Sequence, residues 1–498
     1  MAIAETDRRA FQAPAIDIAA VFFFAGVIVC FFGAAMLLPA IVDLADRNDD
    51  HRVFLTCAGI TIFGGLSLAL AFRQNRYAMG VREVMLAAPA TWITVVTFAA
   101  LPFVFSSFRL SYTDAVFETM SGITATGSTV IVGLDTAPTG ILLWRWLLIW
   151  LGGFGIITLA VLVLPFLRIG GMQLFVLDLS AQAGKFVPRM LDLVVKIGLV
   201  YVGLTTLGAI AFRIEGMSAF DAMGHAMAAV ATGGFSSHDE GIGYFRSPAI
   251  EWTATLVILL AAMPFVLHLQ ALRRGPDALL QDEQVRLFLW IIGCAVASLF
   301  VWRVVWNEAP ILEAIREAAF NVVSIISTTG FTSTYQDYAQ WGGFPSALLL
   351  TMMLVGGCTG STAGGIKMFR LCVLISALRA QTRRQIYPHG TFVIVYNDGP
   401  VTDPVRAGVT LYFFVYISTF LLFALALAFC GLSFEASLGG SATALGGVGP
   451  GLGPIIGPCC TFAPLPNTAK WLLTIEMLAG RLEILVLVIP LTRTFWRG

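Results

Sequence analysis

Four stretches of the chain read as versions of one another: DAVFETMSGITATGST at 114–129, DAMGHAMAAVATGGFS at 221–236, EAAFNVVSIISTTGFT at 317–332 and EASLGGSATALGGVGPG at 435–451. Each opens on a carboxylate followed by alanine, at Asp114, Asp221, Glu317 and Glu435, and each reaches a glycine, at Gly127, Gly234, Gly330 and Gly449. Carboxylate and glycine stand 13 residues apart in the first three stretches and 14 apart in the fourth. A recurrence of this kind sets the architecture before any single residue is interpreted. The apolar part of each stretch is too short to cross a bilayer, which takes about 20 residues of helix. Each therefore reads as a half-helix that enters the membrane, followed by a glycine-rich extended segment.

The extended segments cover 124–128, 231–235, 327–331 and 446–450. A backbone that turns successive carbonyls toward one axis needs dihedral angles that a Cβ hinders, which is why glycine recurs there. Non-helical backbone is tolerated at membrane depth where it lines a cavity or is buried in protein. Four such segments around one axis would replace an ion's hydration shell with carbonyl oxygens. The candidate filter residues are Thr124, Ala125, Thr126 and Gly127; Ala231, Thr232, Gly233 and Gly234; Ser327, Thr328, Thr329 and Gly330; and Gly447, Val448 and Gly449. The opening carboxylates sit where a half-helix begins and its dipole favours negative charge. Together Asp114, Asp221, Glu317 and Glu435 would also make a negative outer vestibule that concentrates cations.

The rest of the chain fits this frame. Of its 498 residues 58% are hydrophobic and only 12% charged, with a mean hydropathy of +0.84. A soluble surface needs about twice that charge, so a soluble enzyme is excluded. Thirty basic residues balance 30 acidic ones, leaving no basic field for nucleic acid. Ten apolar runs read as spans: 18–42, 53–72, 84–105, 146–167, 193–212, 252–270, 287–302, 344–366, 409–434 and 471–492. An even number returns the C-terminus to the side of the N-terminus. Twenty of the 30 basic residues, among them Arg8, Arg9, Arg76, Arg168 and Lys185, fall on that side. The positive-inside rule places both termini in the cytoplasm. The cysteines (Cys30, Cys57, Cys294, Cys358, Cys372, Cys430, Cys459 and Cys460) form no CxxC pair and read as apolar packing residues.

The expected fold is an all-α polytopic membrane protein, with four helix–pore-loop–helix repeats around one pseudo-fourfold pore and two extra N-terminal helices. Its divisions are 1–80 for the helix pair, then 81–185, 186–280, 281–400 and 401–498 for the four repeats. One expected span, 344–366, holds Gly356, Gly357, Gly360, Gly364 and Gly365 together with Thr359, Ser361 and Thr362. Each glycine costs a helix about 1 kcal/mol relative to alanine. The run should break the helix, line the pore and act as a gate; small-residue helix packing is the alternative. His225 and His268 stand alone in apolar surroundings and read as satisfied core residues. TFVIVYNDG at 391–399 reads as a strand and a turn, a small cytoplasmic hairpin within reach of a cytosolic partner.

At these residues the chain resembles the Trk/Ktr/HKT superfamily of cation transporters, and most closely its bacterial TrkH-type potassium-uptake subunits. TATGS, ATGGF, STTGF and GVGPGLG match the four filter segments, and WLGGFGI at 150–156, GRLEI at 480–484 and GGCTGSTAGG at 356–365 match as well. The fourth segment departs from the family in having Gly446-Gly447 where asparagines are expected. The resemblance implies potassium as the transported ion, no organic cofactor, and a place in the bacterial inner membrane among lipid. It also implies a homodimer that binds a TrkA-like cytosolic ring of nucleotide-binding regulatory subunits. Arg481, within the last span, would then be a positive barrier below the filter. The alternative is a structural ion pair with Glu476 or Glu483, because a charge at bilayer depth usually has a partner or a cavity.

Two other functions compete. A sodium- or proton-coupled secondary transporter, such as a potassium/sodium symporter, usually has inverted repeats and midplane acids in broken helices; these repeats share one orientation. A membrane enzyme would need clustered ligands or catalytic groups, and five scattered histidines without an HExxH motif do not supply them.

Overall fold

The computed structural model describes residues 16–74, 80–162, 186–333, 338–397, 399–458 and 460–497. Arg8, Arg9, Arg76, Arg168 and Lys185, the end of the expected span 146–167, the expected boundary at 185 and Cys459 lie outside them. Among the described residues, Cys30, Cys57, Cys294, Cys358, Cys372 and Cys430 are free.

The chain forms two compact units: 1–109 together with 482–498, and 110–481. In the first, α1 (Ile18–Ala35) and α2 (Leu37–Ala45) are followed by α3 (Asp50–Ala71), α4 (Val81–Ala99) and α5 (Leu101–Phe105). Small residues bring α1 and α3 together. A Cβ on Gly26 would lie 2.7 Å from the Gly65 carbonyl, and one on Gly65 would lie 2.7 Å from the Gly26 carbonyl. Apolar side chains gain little by burial in lipid, so close backbone packing of this sort joins membrane helices.

The second unit holds four short helices of the kind expected: α6 (Tyr112–Ile123), α9 (Ala219–Val230), α14 (Ile311–Ile326) and α18 (Phe434–Gly446). Three begin alike. Ser111 Oγ accepts the Asp114 amide at 3.2 Å, Ser218 Oγ the Asp221 amide at 3.0 Å, and Ser433 Oγ the Ala436 amide at 3.3 Å. Each serine satisfies an amide that the first turn leaves without a partner. The third helix starts instead at Ile311 after Pro310, so Glu317 is not at its N-terminus as expected but two turns inside. Proline fits a helix start because it has no amide to satisfy.

The other helices of this unit are α7 (Thr139–Leu162), α8 (Phe186–Ile214), α10 (Pro248–Ala261), α11 (Phe265–Arg274), α12 (Asp277–Gln281), α13 (Glu283–Trp306), α15 (Gly343–Val355), α16 (Met368–Ile386), α17 (Asp403–Phe429) and α19 (Asn467–Arg481). Among the described residues, seven helices are long and apolar enough to cross a membrane, and eight if a bent pair counts as one span. The expected ten need correction where backbone breaks interrupt an apolar run. Span 252–270 is α10 and α11, bent by 96° at Pro264, which has no amide to continue a helix. Span 344–366 stops at Val355, at the first glycine of the loop. Span 471–492 stops at Arg481 and 409–434 at Phe429, with Phe434 opening the next short helix. Between α16 and α17 lies the expected hairpin, β1 (Val395–Tyr396) antiparallel to β2 (Gly399–Pro400).

Candidate functional site

Each short helix delivers its extended segment in one conformation. The second residue has positive φ in all four, at Ala125 (50°), Thr232 (51°), Thr328 (58°) and Gly447 (72°). So does the fourth, at Gly127 (87°), Gly234 (66°), Gly330 (75°) and Gly449 (110°). Gly447 thus stands where the other segments hold a strained non-glycine residue. The amides fold back onto the helix behind: Thr126 N–H donates to Ser121 O at 2.8 Å, Gly233 N–H to Ala228 O at 2.9 Å, Thr329 N–H to Ser324 O at 2.9 Å and Val448 N–H to Thr443 O at 3.0 Å. With the amides turned away, the carbonyls of Thr126, Gly233, Thr329 and Val448 accept no hydrogen bond among the described residues.

Those four carbonyls close a ring. A Cβ on Gly127 would lie 2.2 Å from the Gly233 oxygen, one on Gly234 2.1 Å from the Thr329 oxygen, one on Gly330 1.8 Å from the Val448 oxygen, and one on Gly449 2.9 Å from the Thr126 oxygen. Each segment therefore abuts the next, in chain order, and the fourth returns to the first. Ser128 Oγ donates to the Gly449 carbonyl at 2.7 Å across that last junction. Glycine is required twice at each position, for its dihedral angle and for the approach.

The flanking motifs press on the same ring. A Cβ on Gly152 of α7 would lie 2.0 Å from Ile123 O, and one on Gly480 of α19 would lie 2.0 Å from Leu445 O. The glycines of WLGGFGI and GRLEI thus let an inner helix touch the end of a short helix. Behind the first two segments sits a pair that the sequence reading missed. Arg145 Nε donates to Glu118 Oε1 at 2.8 Å, with the side chains 1% and 0% exposed. Arg145 also donates to Ser236 O at 2.7 Å and lies over the Phe235 ring at 4.1 Å. An acid inside a half-helix and an arginine between tryptophans 27 residues later were the available signals.

Three of the four vestibule carboxylates are engaged. Lys470 Nζ meets Asp114 Oδ1 at 2.5 Å, and Arg303 pairs with Glu317. Asp221 accepts from Ser237 Oγ at 2.7 Å and faces His238 Nε2 at 3.7 Å, a charge contact rather than a hydrogen bond. Burial would raise the Asp221 pKa, but His238 and the two serines hold it well below the usual carboxylate range. Burial likewise pushes the His238 imidazole down, but Asp221 and Asp135 outweigh it and its pKa is raised. Glu435 is exposed. The negative charge expected of these four carboxylates is therefore partly neutralised by Lys470, Arg303 and His238. His225 and His268 are satisfied as expected: His225 by Asp221 O at 2.8 Å and Ser236 Oγ at 2.9 Å, His268 by Leu260 O at 2.9 Å.

The glycine loop lies against the ring. Gly364 N–H donates to Thr328 Oγ1 at 2.8 Å, and a Cβ on Gly364 would lie 2.2 Å from Gly446 O. Thr362 Oγ1 donates toward Val230 O at 3.1 Å, just before the second segment. Gly356, Gly360 and Gly365 all have positive φ. The bend in α10–α11 holds the other side: Phe265 N–H donates to Gly360 O and Cys358 N–H to Ala262 O, both at 3.0 Å. Gly357, Thr359, Ser361 and Thr362 are buried, as is the rest of the run except the half-buried Gly360. Arg481, at the end of α19 and 7% exposed, donates from Nη1 to Thr362 O at 2.8 Å. Its Nε and Nη2 are buried without a hydrogen-bond partner among the described residues. Glu476 is bonded to Ser441 Oγ at 2.6 Å instead, and no ion pair of Arg481 is found among the described residues. The ion-pair alternative therefore gives way to a bond with the loop.

A family model described as TrkH, cation transport protein, matches residues 50–494. The chain is 40% identical over 464 residues to the Trk system potassium uptake protein TrkI of Halomonas elongata, covering 93% of this chain and 94% of that protein. It is 35% identical to the Trk system potassium uptake protein TrkH of Escherichia coli K12, over 95% of this chain and 98% of that protein. The crystal structure of the potassium transporter TrkH from Vibrio parahaemolyticus superposes with a TM-score of 0.89 at 33% identity, covering 96% of this chain and all of that one.

Proposed function

Because the chain belongs to the TrkH family of cation transport proteins, we propose that it takes up potassium across the cytoplasmic membrane through a channel-like pore. The ring of four glycine-abutted carbonyls carries this reading. An ion that sheds water there meets oxygens from Thr126, Gly233, Thr329 and Val448, and four equivalent segments supply them from all sides. The segments 124–127, 231–234, 327–330 and 447–449 form the filter. The partly neutralised carboxylates Asp114, Asp221, Glu317 and Glu435 form its outer mouth.

The loop at 356–365 is the gate, and its position against Thr328, Val230 and Gly446 is the closed one. Arg481 adds two unpaired buried N–H groups beside that loop, a positive charge that opposes a cation until the loop moves. The gate answers to a cytosolic regulatory ring, the protein works as a dimer, and both termini lie in the cytoplasm, with the four repeats divided near residues 81, 186, 281 and 401.

The test is reconstitution in planar bilayers under a potassium gradient, with and without sodium. A reversal potential that follows potassium alone is the expected result. A reversal potential that moves with a sodium or proton gradient at fixed potassium would replace the pore by a coupled transporter.

A further inference from the structure

Gln284 lies in the first turn of α13, 0% exposed, where that helix meets the glycine loop. Its Oε1 accepts the Thr359 N–H at 2.9 Å, and its backbone carbonyl faces Cys358 Sγ at 3.9 Å. Its Nε2 is buried without a hydrogen-bond partner among the described residues. A buried donor without an acceptor is costly, so the closed loop is held at this point by one bond and disfavoured by another that is missing.

Two residues earlier, Asp282 caps the same helix, with Oδ1 accepting the Gln284 N–H at 2.9 Å. The same carboxylate holds the cytoplasmic hairpin. Asn397 Nδ2 donates to Asp282 Oδ2 at 2.9 Å, the Tyr396 hydroxyl donates to Oδ1 at 3.4 Å, and Asn397 Oδ1 accepts the Glu283 N–H at 2.9 Å. Asn397 sits in the hairpin turn with φ of 44°. Tyr396 meets the Phe369 ring edge-on at 4.9 Å, on the helix α16 that leaves the loop. At the start of α16, Met368 N–H donates to Gly357 O at 2.9 Å. The hairpin thus touches both α13, whose Gln284 contacts the loop, and α16, which leaves it.

We propose that Gln284 is a positioning residue that latches the glycine loop, and that the hairpin works this latch through Asn397 and Asp282. The proposal rests on the reading of 356–365 as the gate. Displacing the hairpin shifts the start of α13 and withdraws Oε1 from Thr359. The stranded amide then favours a different loop position.

The experiment is rubidium tracer influx into liposomes that contain the full-length protein and no partner. Gln284→Leu removes the acceptor and the unpaired Nε2 together at nearly constant volume; the stranded Thr359 N–H should outweigh the lost orphan, so influx should rise several-fold with potassium-over-sodium preference unchanged. Asn397→Ala should raise influx less, and should add nothing in the Gln284→Leu background, because it acts through that residue. Additive effects would overturn the latch. In Asn397→Ala, amide hydrogen exchange over 356–367 should quicken while 124–128 keeps its wild-type rate. Unchanged exchange in the loop overturns the proposal even if Gln284→Leu does not fold. A shortened loop separates the two readings. If it raises influx while both point variants stay at wild-type influx, the gate stands and the latch falls; if it raises nothing, both fall.

Discussion

At their extended segments the four repeats of residues 110–481 are near copies; in the helices that follow they are four different structures. The segments at 124–128, 231–235, 327–331 and 446–450 share positive φ at the same two positions and abut one another in a closed ring. The helices that follow differ in course, although α7 and α19 share the close glycine approach at Gly152 and Gly480. The first, α7, is continuous; the second is bent by 96°; the third is interrupted by the loop between α15 and α16; the fourth ends at Arg481. The difference has a physical reason. Surrounding an ion with oxygens needs equivalent segments, whereas opening a path needs one element that can leave while its neighbours stay. On the proposed reading the symmetric region selects and the asymmetric region gates.

The largest effect should come from breaking the symmetric region from behind. Glu118→Ala leaves Arg145 buried without its carboxylate, which costs about 3–5 kcal/mol. Thermal unfolding in detergent should show the loss, and a melting temperature within error of wild type would mean that the pair supports nothing. Within the ring, the four approaches differ and so should their substitutions. Gly330→Ser meets an oxygen 1.8 Å from its Cβ, at positive φ. Strain of about 1–3 kcal/mol should cut discrimination against sodium by roughly tenfold or more. Gly449→Ser has 2.9 Å and should do less. Equal permeability ratios in the two variants would break the link between approach and selectivity.

Effects on the asymmetric side should spare selectivity. Arg481→Ala removes the charge and the bond to Thr362 O; flux should rise several-fold at an unchanged permeability ratio, and a fall in flux with normal expression would make Arg481 a support rather than a barrier. The smallest effect concerns the mouth. His238 bridges Asp135 at 2.5 Å and Asp221 across two repeats, and its pKa is raised. The clasp is therefore complete at acidic outer pH and is lost as pH rises through that raised value. Influx should drift as pH rises past the ordinary histidine range, and His238→Gln should flatten the drift. A drift that survives the substitution belongs to another group.

The symmetric region was legible in the sequence because glycine is the residue that both constraints demand, and four glycines at matched offsets stand out. The other positive-φ position was not legible, since Ala125, Thr232 and Thr328 are ordinary residues held there by the ring. That position also accounts for Gly447, which departs from the family pattern yet meets the same backbone requirement without strain. The glycine loop announced itself through composition. The bend at Pro264 did not, because apolar residues continue on both sides of it from Leu256 to Leu267, and an apolar window measures length rather than direction. Arg145 and Glu118 lie on different helices, and no local pattern joins them. Glu317 matched its counterparts in spacing, but its helix starts earlier, at Ile311.

The central claim, that selection and gating lie in different halves, is tested most directly by one measurement on a variant shortened within 356–365: the reversal potential under opposed potassium and sodium, recorded together with conductance. The account expects conductance to rise and the potassium-over-sodium ratio to stay at its wild-type value. A ratio that collapses as conductance rises would contradict it, because the loop would then be part of the filter.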